Sequence, residues 1–474
     1  MSRLVQHLLT AFTGDAVARL LGFLATAWAA ATLQPEGFGT LSMGLALLTW
    51  ALWPVDLGLN TLGVRIAATQ PEHRQFPPVA ILRLQLAAAF VVMLLGELLL
   101  LLIPLPPTLR AVMQLYLLYP ITYALYVDWY HQGKRNYRAV TVGKFLSGGL
   151  YAGALLLLVH VPNQITLVPL LYIGANLAAA FALLLMADRA DLRAAGAENV
   201  GQSSRRSALL REGFPILLGS IVGSILQTVP LLLLGFLHGP ADAGTLGVVL
   251  RVVTLLMMAD RLFVALYLPR VASGWGQNRH DLPRQLSRGF RLVVVAGVTI
   301  GVAATVHANA VITLLFGTAY TAAGPALQVV AWYAVATLWN SYFAYALVGI
   351  GQQQRYMKAS MIGGVIFLPI ASVAIWLEGL HGAAWGITLG EGAMMMLMYL
   401  QFRKHFTVPV LRPVVTAIAA AAATIAVGLL LGGGLWLLPV SLLLPLLLAM
   451  LSGSLTMHDL AWLQGHEQRA ANVN

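Results

Sequence analysis

Several ionisable side chains stand inside stretches of this sequence that are otherwise fit for a lipid bilayer. Asp15 and Arg19 lie in TGDAVARLLGF, Glu97 in LLGELLL, and Arg251, Asp260, Arg261 and Glu391 in later apolar runs. A charge at the bilayer centre costs at least roughly 2.5–3.5 kcal/mol, so each needs a reason to be there. Guanidinium groups bind phosphate oxygens in pairs and stay charged throughout. Arg19, Arg251 and Arg261, with Asp15 as helper, are therefore candidates for holding an anionic group. Glu97, Asp260 and Glu391 are candidates for ion coupling, because a buried carboxyl can exchange a proton.

Each residue also has a plainer role open to it. Asp15 and Arg19 are spaced to pair along one helix face, which would lower the insertion cost. Arg261 lies nearer the inner end of its span and can snorkel. Asp260 is adjacent to Arg261 and faces about 100° away, so the two do not pair within the helix. Asp56, between Pro54 and Gly58, can satisfy backbone groups freed by the proline. His307 reads as a packing residue, and the aromatics Trp332, Tyr333, Trp339, Tyr342 and Tyr345 suit packing ahead of ligand stacking.

The elements that must position these groups follow from composition. The chain has 474 residues, is 59% hydrophobic and only 9% charged, and has a mean hydropathy of +0.81. Apolar runs of roughly 20 residues, long enough to cross about 30 Å of hydrocarbon, recur throughout. Uniformly apolar runs of that length favour helices over a barrel, so the expected fold is an all-α polytopic membrane protein. About fourteen transmembrane helices are expected, near 5–32, 38–64, 84–104, 109–130, 139–160, 165–187, 210–237, 243–269, 290–315, 322–350, 357–377, 381–402, 411–431 and 434–454. The first is too long for a removable signal peptide and lacks a clear cleavage site. With no cysteine, disulfides and thiolate chemistry are excluded. No Walker motif is present, so ATP hydrolysis is not expected, and neither is any cofactor or metal.

The net charge of +11 resides in alternate loops, which argues against a nucleic-acid partner. Arg65, Arg74 and Arg83 follow the second span; Lys134, Arg135, Arg138 and Lys144 follow the fourth. Arginines and lysines likewise follow the sixth, eighth, tenth and twelfth spans. The opposite loops carry none except Arg110. Under the positive-inside rule both termini are cytoplasmic.

The polar stretch at 189–209 reads as a cytoplasmic linker between an N-terminal bundle, 1–188 (spans one to six), and a C-terminal bundle, 210–403 (spans seven to twelve). Spans thirteen and fourteen occupy 404–455, and a tail occupies 456–474. A repeat supports the division. LQPEGFGTLSMGLALLT, from Leu33, aligns without gaps to HGPADAGTLGVVLRVVT, from His238: Pro35 matches Pro240, and Gly39-Thr40-Leu41 matches Gly244-Thr245-Leu246. Two pseudo-repeated six-helix bundles plus two C-terminal helices form a transporter plan. The repeat makes spans one, two, seven and eight the expected walls of a central cavity.

Ordered motifs add a resemblance. R-x-L-G-F at Arg19 to Phe23, LQPEGFGTLSM, DLGLN at Asp56 to Asn60, the seventh span, LFGTAYTAAGPALQVV from Leu315 and GLHGAAWGITLGEG from Gly379 resemble the bacterial polysaccharide-transporter family. These are lipid-linked oligosaccharide or O-antigen flippases of the multidrug/oligosaccharidyl-lipid/polysaccharide exporter superfamily. The resemblance implies a monomeric flippase in the bacterial inner membrane, not an enzyme. Its expected substrate is an undecaprenyl-pyrophosphate-linked glycan moved to the periplasmic leaflet for O-antigen, capsule, exopolysaccharide or enterobacterial common antigen assembly. Polymerase and chain-length machinery are the expected partners. The chain departs from the family pattern at Thr40, where tyrosine is common, and in lacking an acid near Pro230. An ion-coupled multidrug or cation antiporter of the same superfamily is the competing expectation, and a membrane-bound polymerase or ligase ranks behind it.

Overall fold

The computed structural model describes residues 3–70, 76–194, 209–212, 214, 217, 228–277, 281–432, 434–456 and 459; side chains are described from residue 22 onward, apart from 265, 277 and 429. Among the described residues there are helices and no strand, as the backbone requires in lipid. Seven of these helices are long and apolar enough by themselves to cross a membrane.

Helix α1 (Arg3–Asp56) joins the first two expected spans, with its only non-helical residue at Gln34 (φ 62°, ψ 173°) just before Pro35. Proline is well suited to restart a helix there because its fixed φ is helical and it has no N–H to satisfy. The shorter α2 (Leu59–Ala68) completes the second span, and α3 (Pro78–Leu102) forms the third. The fourth span is broken into α4 (Pro107–Tyr116), α5 (Tyr119–Leu125) and α6 (Asp128–Gly133). Helices α7 (Tyr137–Leu158) and α8 (Leu167–Met186) follow, then the short α9 (Arg189–Arg193). Most of the expected seventh span lies outside the described residues; its outer end is α10 (Thr228–His238).

The eighth span comprises α11 (Pro240–Leu256) and α12 (Met258–Gln277). The ninth comprises α13 (Leu282–Val306) and α14 (Ala308–Phe316), broken at His307, and α15 (Ala323–Gly349) is the tenth. Helix α16 (Gln353–Phe402) joins the eleventh and twelfth through Gly379, at φ 53° and ψ −123°. Helices α17 (Leu411–Leu430) and α18 (Leu438–Leu451) complete the chain of spans.

Contacts divide the chain into two compact units, 1–244 and 245–474. In the first unit, one core cluster gathers Ala29, Leu33, Leu48, Tyr116, Tyr119 and Val159. A second gathers Leu59, Leu62, Trp129, Tyr130 and Leu183 with Leu192 and Leu209, residues from both ends of the expected linker. Asp191 is held there by Tyr130 Oη at 2.9 Å and Lys134 Nζ at 2.8 Å, and Arg65 pairs with Glu212. In the second unit the core is aromatic: Tyr267, Phe290, Tyr342, Phe343 and Phe402 are all nearly inaccessible and pack ring against ring.

The repeat also has a physical expression within the first unit. A Cβ added to Gly39 would fall 1.6 Å from the carbonyl oxygen of Pro240, and one added to Gly244 would fall 2.0 Å from that of Pro35. Only glycine permits backbones to approach that closely.

Candidate functional site

In the second unit, α15 presents Tyr333, Thr337, Asn340 and Ser341 on one face, a spacing of i, i+4, i+7 and i+8. Glu391, on the second half of α16, faces this stripe. It is 8% exposed and accepts a hydrogen bond from Asn340 Nδ2 at 2.9 Å, with the Thr337 hydroxyl also in reach. Asp260, in the first turn of α12, meets Ser341 and is near enough to Glu391 for the carboxyls to repel. Tyr333 lies within electrostatic reach of both.

Two polar atoms in this cluster are buried without a partner among the described residues, Asp260 Oδ1 and Asn340 Oδ1. Asp260 also lines a small cleft with Met257, Gly297, Ile300, Val335 and Leu338. Two acids and an amide with spare acceptor capacity, set in an apolar unit, can hold and release a proton or another small cation.

A second polar cluster sits in the first unit where α1 ends. Leu57 (φ 46°) and Gly58 (φ 73°) break the helix, which leaves backbone N–H groups unpaired. The Asp56 carboxylate takes up two of them, from Gly58 at 3.2 Å and Asn60 at 3.3 Å. It also accepts from Tyr123 Oη at 3.2 Å; Asn60 Nδ2 donates to that same oxygen at 2.7 Å, and Gln85 Nε2 donates to Asn60 Oδ1 at 3.0 Å. Spans two, three and four are thereby tied by one chain of hydrogen bonds.

The other candidates are distributed as follows. Asp15 and Arg19 lie on the helical stretch of α1, but their side chains fall outside the described residues. Arg251, on α11, is half-buried and makes no hydrogen bond or ion pair among the described residues, while Arg261, on α12, is exposed. Glu97 is half-buried on α3, beside Leu94, Leu95, Leu98 and Leu99, each more than half exposed. It belongs to the first unit, whereas the Asp260–Glu391 pair belongs to the second. His307 is buried against the Ser441 hydroxyl at 2.9 Å, a packing contact between the α13–α14 break and α18.

Sequence reasoning passed over Thr337 and Ser341. Their signal was present in the helical spacing of polar residues through an apolar span. Nothing in the sequence marks Gln85, whose role depends on Asn60 reaching it from another helix.

Comparisons with known proteins bear on this arrangement. The sequence profile of the family described as "Polysaccharide biosynthesis protein" matches residues 4–272. Among solved structures, the chain is similar to the lipid II flippase MurJ in an inward closed conformation (TM-score 0.65, 11% identity, 96% of this chain and 100% of that one). It is also similar to a multidrug resistance MATE family transporter of the MOP superfamily, inward-facing (TM-score 0.61, 12% identity, 83% and 97%). A mutant of the Vibrio cholerae MATE transporter VcmN is similar at TM-score 0.55 and 16% identity, over 84% and 97%. At these identities the likeness is one of fold. No curated protein sequence matches the chain.

Proposed function

Because the chain belongs to the polysaccharide biosynthesis protein family, we propose that it is a flippase that carries a lipid-linked glycan across the inner membrane. The observation that carries this reading is the family match over 4–272, a stretch that includes Arg19, Arg251 and Arg261. The substrate is an undecaprenyl-pyrophosphate-linked oligosaccharide, moved from the cytoplasmic to the periplasmic leaflet for surface polysaccharide assembly. Both termini are cytoplasmic under the charge bias of the loops.

The pyrophosphate is met by guanidinium groups, Arg19 and Arg251, with Arg261 guiding approach and Asp15 holding Arg19. Arg251 suits the task because it is half-buried and has no carboxylate neutralising it among the described residues. The polyprenyl tail stays in lipid while the glycan crosses by alternating access. Asp260 and Glu391, two carboxyls set in an apolar unit, supply ion coupling by taking up a proton or cation that one conformation releases. Glu97 is a further, separate candidate for that role.

The test is reconstitution in proteoliposomes with a labelled lipid-linked oligosaccharide. Flipping that survives in the Arg19→Ala/Arg251→Ala double variant would overturn the phosphate clamp. The Asp260–Glu391 pair also favours a second reading, an ion-coupled multidrug or cation antiporter. Efflux of cationic dyes without glycan flipping would establish that alternative.

A further inference from the structure

We propose that span two carries a sugar-binding platform in which Trp50 and Trp53 stack against one ring of the transported glycan and Asp56 accepts hydrogen bonds from its hydroxyls. The proposal rests on the flippase reading above and assigns that reading a headgroup contact. The three residues lie on α1 at i, i+3 and i+6, within about 120° of its circumference. Their side chains are half-buried or exposed, whereas Leu48, Val55 and Leu59 are buried.

The two indoles form a unit. Their ring centroids are 4.9 Å apart with planes 32° from parallel. Trp50 is fixed by a hydrogen bond from Nε1 to Thr228 Oγ1 at 2.8 Å, yet remains 36% exposed. A rigid, partly open aromatic surface can take a flat apolar partner without first ordering itself.

Depth decides between lipid anchor and ligand contact. Arg65 marks the inner end of the span, and Trp53 and Trp50 precede it by 12 and 15 residues. The helix is broken at Leu57 and Gly58 before that end, but both tryptophans lie within two residues of the midpoint of the span expected at 38–64, well inside hydrocarbon roughly 30 Å thick. Tryptophans that anchor a protein sit in belts at the membrane interfaces, not at this level. The Asp56 carboxylate on the same face caps the break at Leu57 and Gly58, and its Oδ2, which accepts only from the Gly58 N–H among the described residues, keeps a lone pair for polar cargo.

A pyranose ring fits what the face offers. Its axial C–H groups form an apolar side that stacks on the electron-rich face of an indole. Its hydroxyls are donors, and this cluster has acceptors to spare. Gln85, 1% exposed and bonded through its amide nitrogen to Asn60, has a buried Oε1 with no partner among the described residues. The indoles and the carboxylate share one face of α1, and buried Gln85 is tied to that carboxylate through Asn60, so it supports the carboxylate's position rather than meeting the sugar.

Binding to the purified full-length protein tests the platform by equilibrium dialysis with two probes. One is the glycan released by mild acid from the lipid-linked pool of the producing cells, and the other is inorganic pyrophosphate. Trp50→Leu/Trp53→Leu is expected to weaken glycan binding by about tenfold or more and to leave pyrophosphate binding unchanged. Trp53→Phe retains a ring and is expected to retain most of the affinity, so it guards against loss of folding. Trp436→Leu, on an exposed indole elsewhere, is expected to change neither. Undiminished glycan binding in the double leucine variant overturns the platform alone. Equal loss of both probes in that variant also overturns it, because the tryptophans would then be structural. Failure of the unmodified protein to bind the glycan, with no flipping in proteoliposomes, overturns the flippase reading and the platform together.

Discussion

Gly39 and Gly244 meet backbone to backbone, each placed by its repeat to receive the proline carbonyl of the other. The glycine of one copy faces the carbonyl of Pro240 and the glycine of the second faces that of Pro35. Both repeat copies therefore keep the residues on which a mutual contact depends.

Any side chain at either glycine must push the two backbones apart. Gly39→Ala and Gly244→Ala are each expected to destabilise by about 1–3 kcal/mol, the usual penalty for overpacking. The double variant should cost less than the sum, since both act on one contact. Gly153→Ala, where an added Cβ meets nothing within 4 Å, is the control and should be neutral or slightly stabilising. Thermal unfolding in detergent measures all four.

Arg291 and Asp459 form a two-pronged ion pair, at 3.1 Å through Nε and 2.5 Å through Nη2, and Asp459 is fully buried. Burial by itself would raise the Asp459 pKa, but hydrogen bonds from Arg291 and from Thr456 outweigh it and hold the carboxyl below its ordinary value. A lowered folded-state pKa contributes stability that is fully present above the unfolded value, about 3.9. That contribution is lost as pH falls through the lower folded value. Melting temperature should therefore be insensitive to this pair from pH 5 to 8 and fall only in stronger acid. Asp459→Asn should remove about 1–3 kcal/mol at neutral pH and flatten the acid limb.

Glu391→Ala leaves Asn340 without its acceptor and should destabilise by about 1–3 kcal/mol, whereas Glu391→Gln can keep a hydrogen bond and should fold normally. If the Asp260–Glu391 pair couples transport to an ion, the glutamine variant should lose stimulation by a pH or sodium gradient while still binding substrate. Uptake into proteoliposomes with and without the gradient separates these effects.

Arg251→Lys tests whether geometry matters as well as charge. Lysine keeps the charge but loses the planar fork that grips two phosphate oxygens. Flipping should fall by about tenfold in the lysine variant, equivalent to about 1.4 kcal/mol, and further in Arg251→Ala. Membrane insertion, followed by fractionation, should be unchanged in both.

Much of the fold was legible because hydrophobic length and loop charge are local properties. The break between the first two spans sits at Gln34 beside Pro35, and that between the eleventh and twelfth sits at Gly379, within turns already visible as loops without lysine or arginine. Asp56 was also readable, since Pro54 and Gly58 announce a disrupted helix whose backbone needs an acceptor. Less visible was the docking of both linker ends, through Leu192 and Leu209, onto the core of the first unit. In a polar stretch two leucines carry no periodic signal, and their burial depends on a surface made elsewhere.

By itself, the sequence determined that the chain is helical, that it crosses the membrane many times and that a stretch from Leu33 recurs in register from His238. Those properties follow from the bilayer, which demands long apolar segments with internally satisfied backbones and sorts loops by charge. Only the tertiary structure decided which polar residues act together. Glu391 meets Asn340, 51 positions away, and Gln85 meets Asn60, 25 positions away, because separate helices turn those faces toward one another. A sequence records that an acid lies within a span; packing sets the rotation of that span, and rotation chooses its partner.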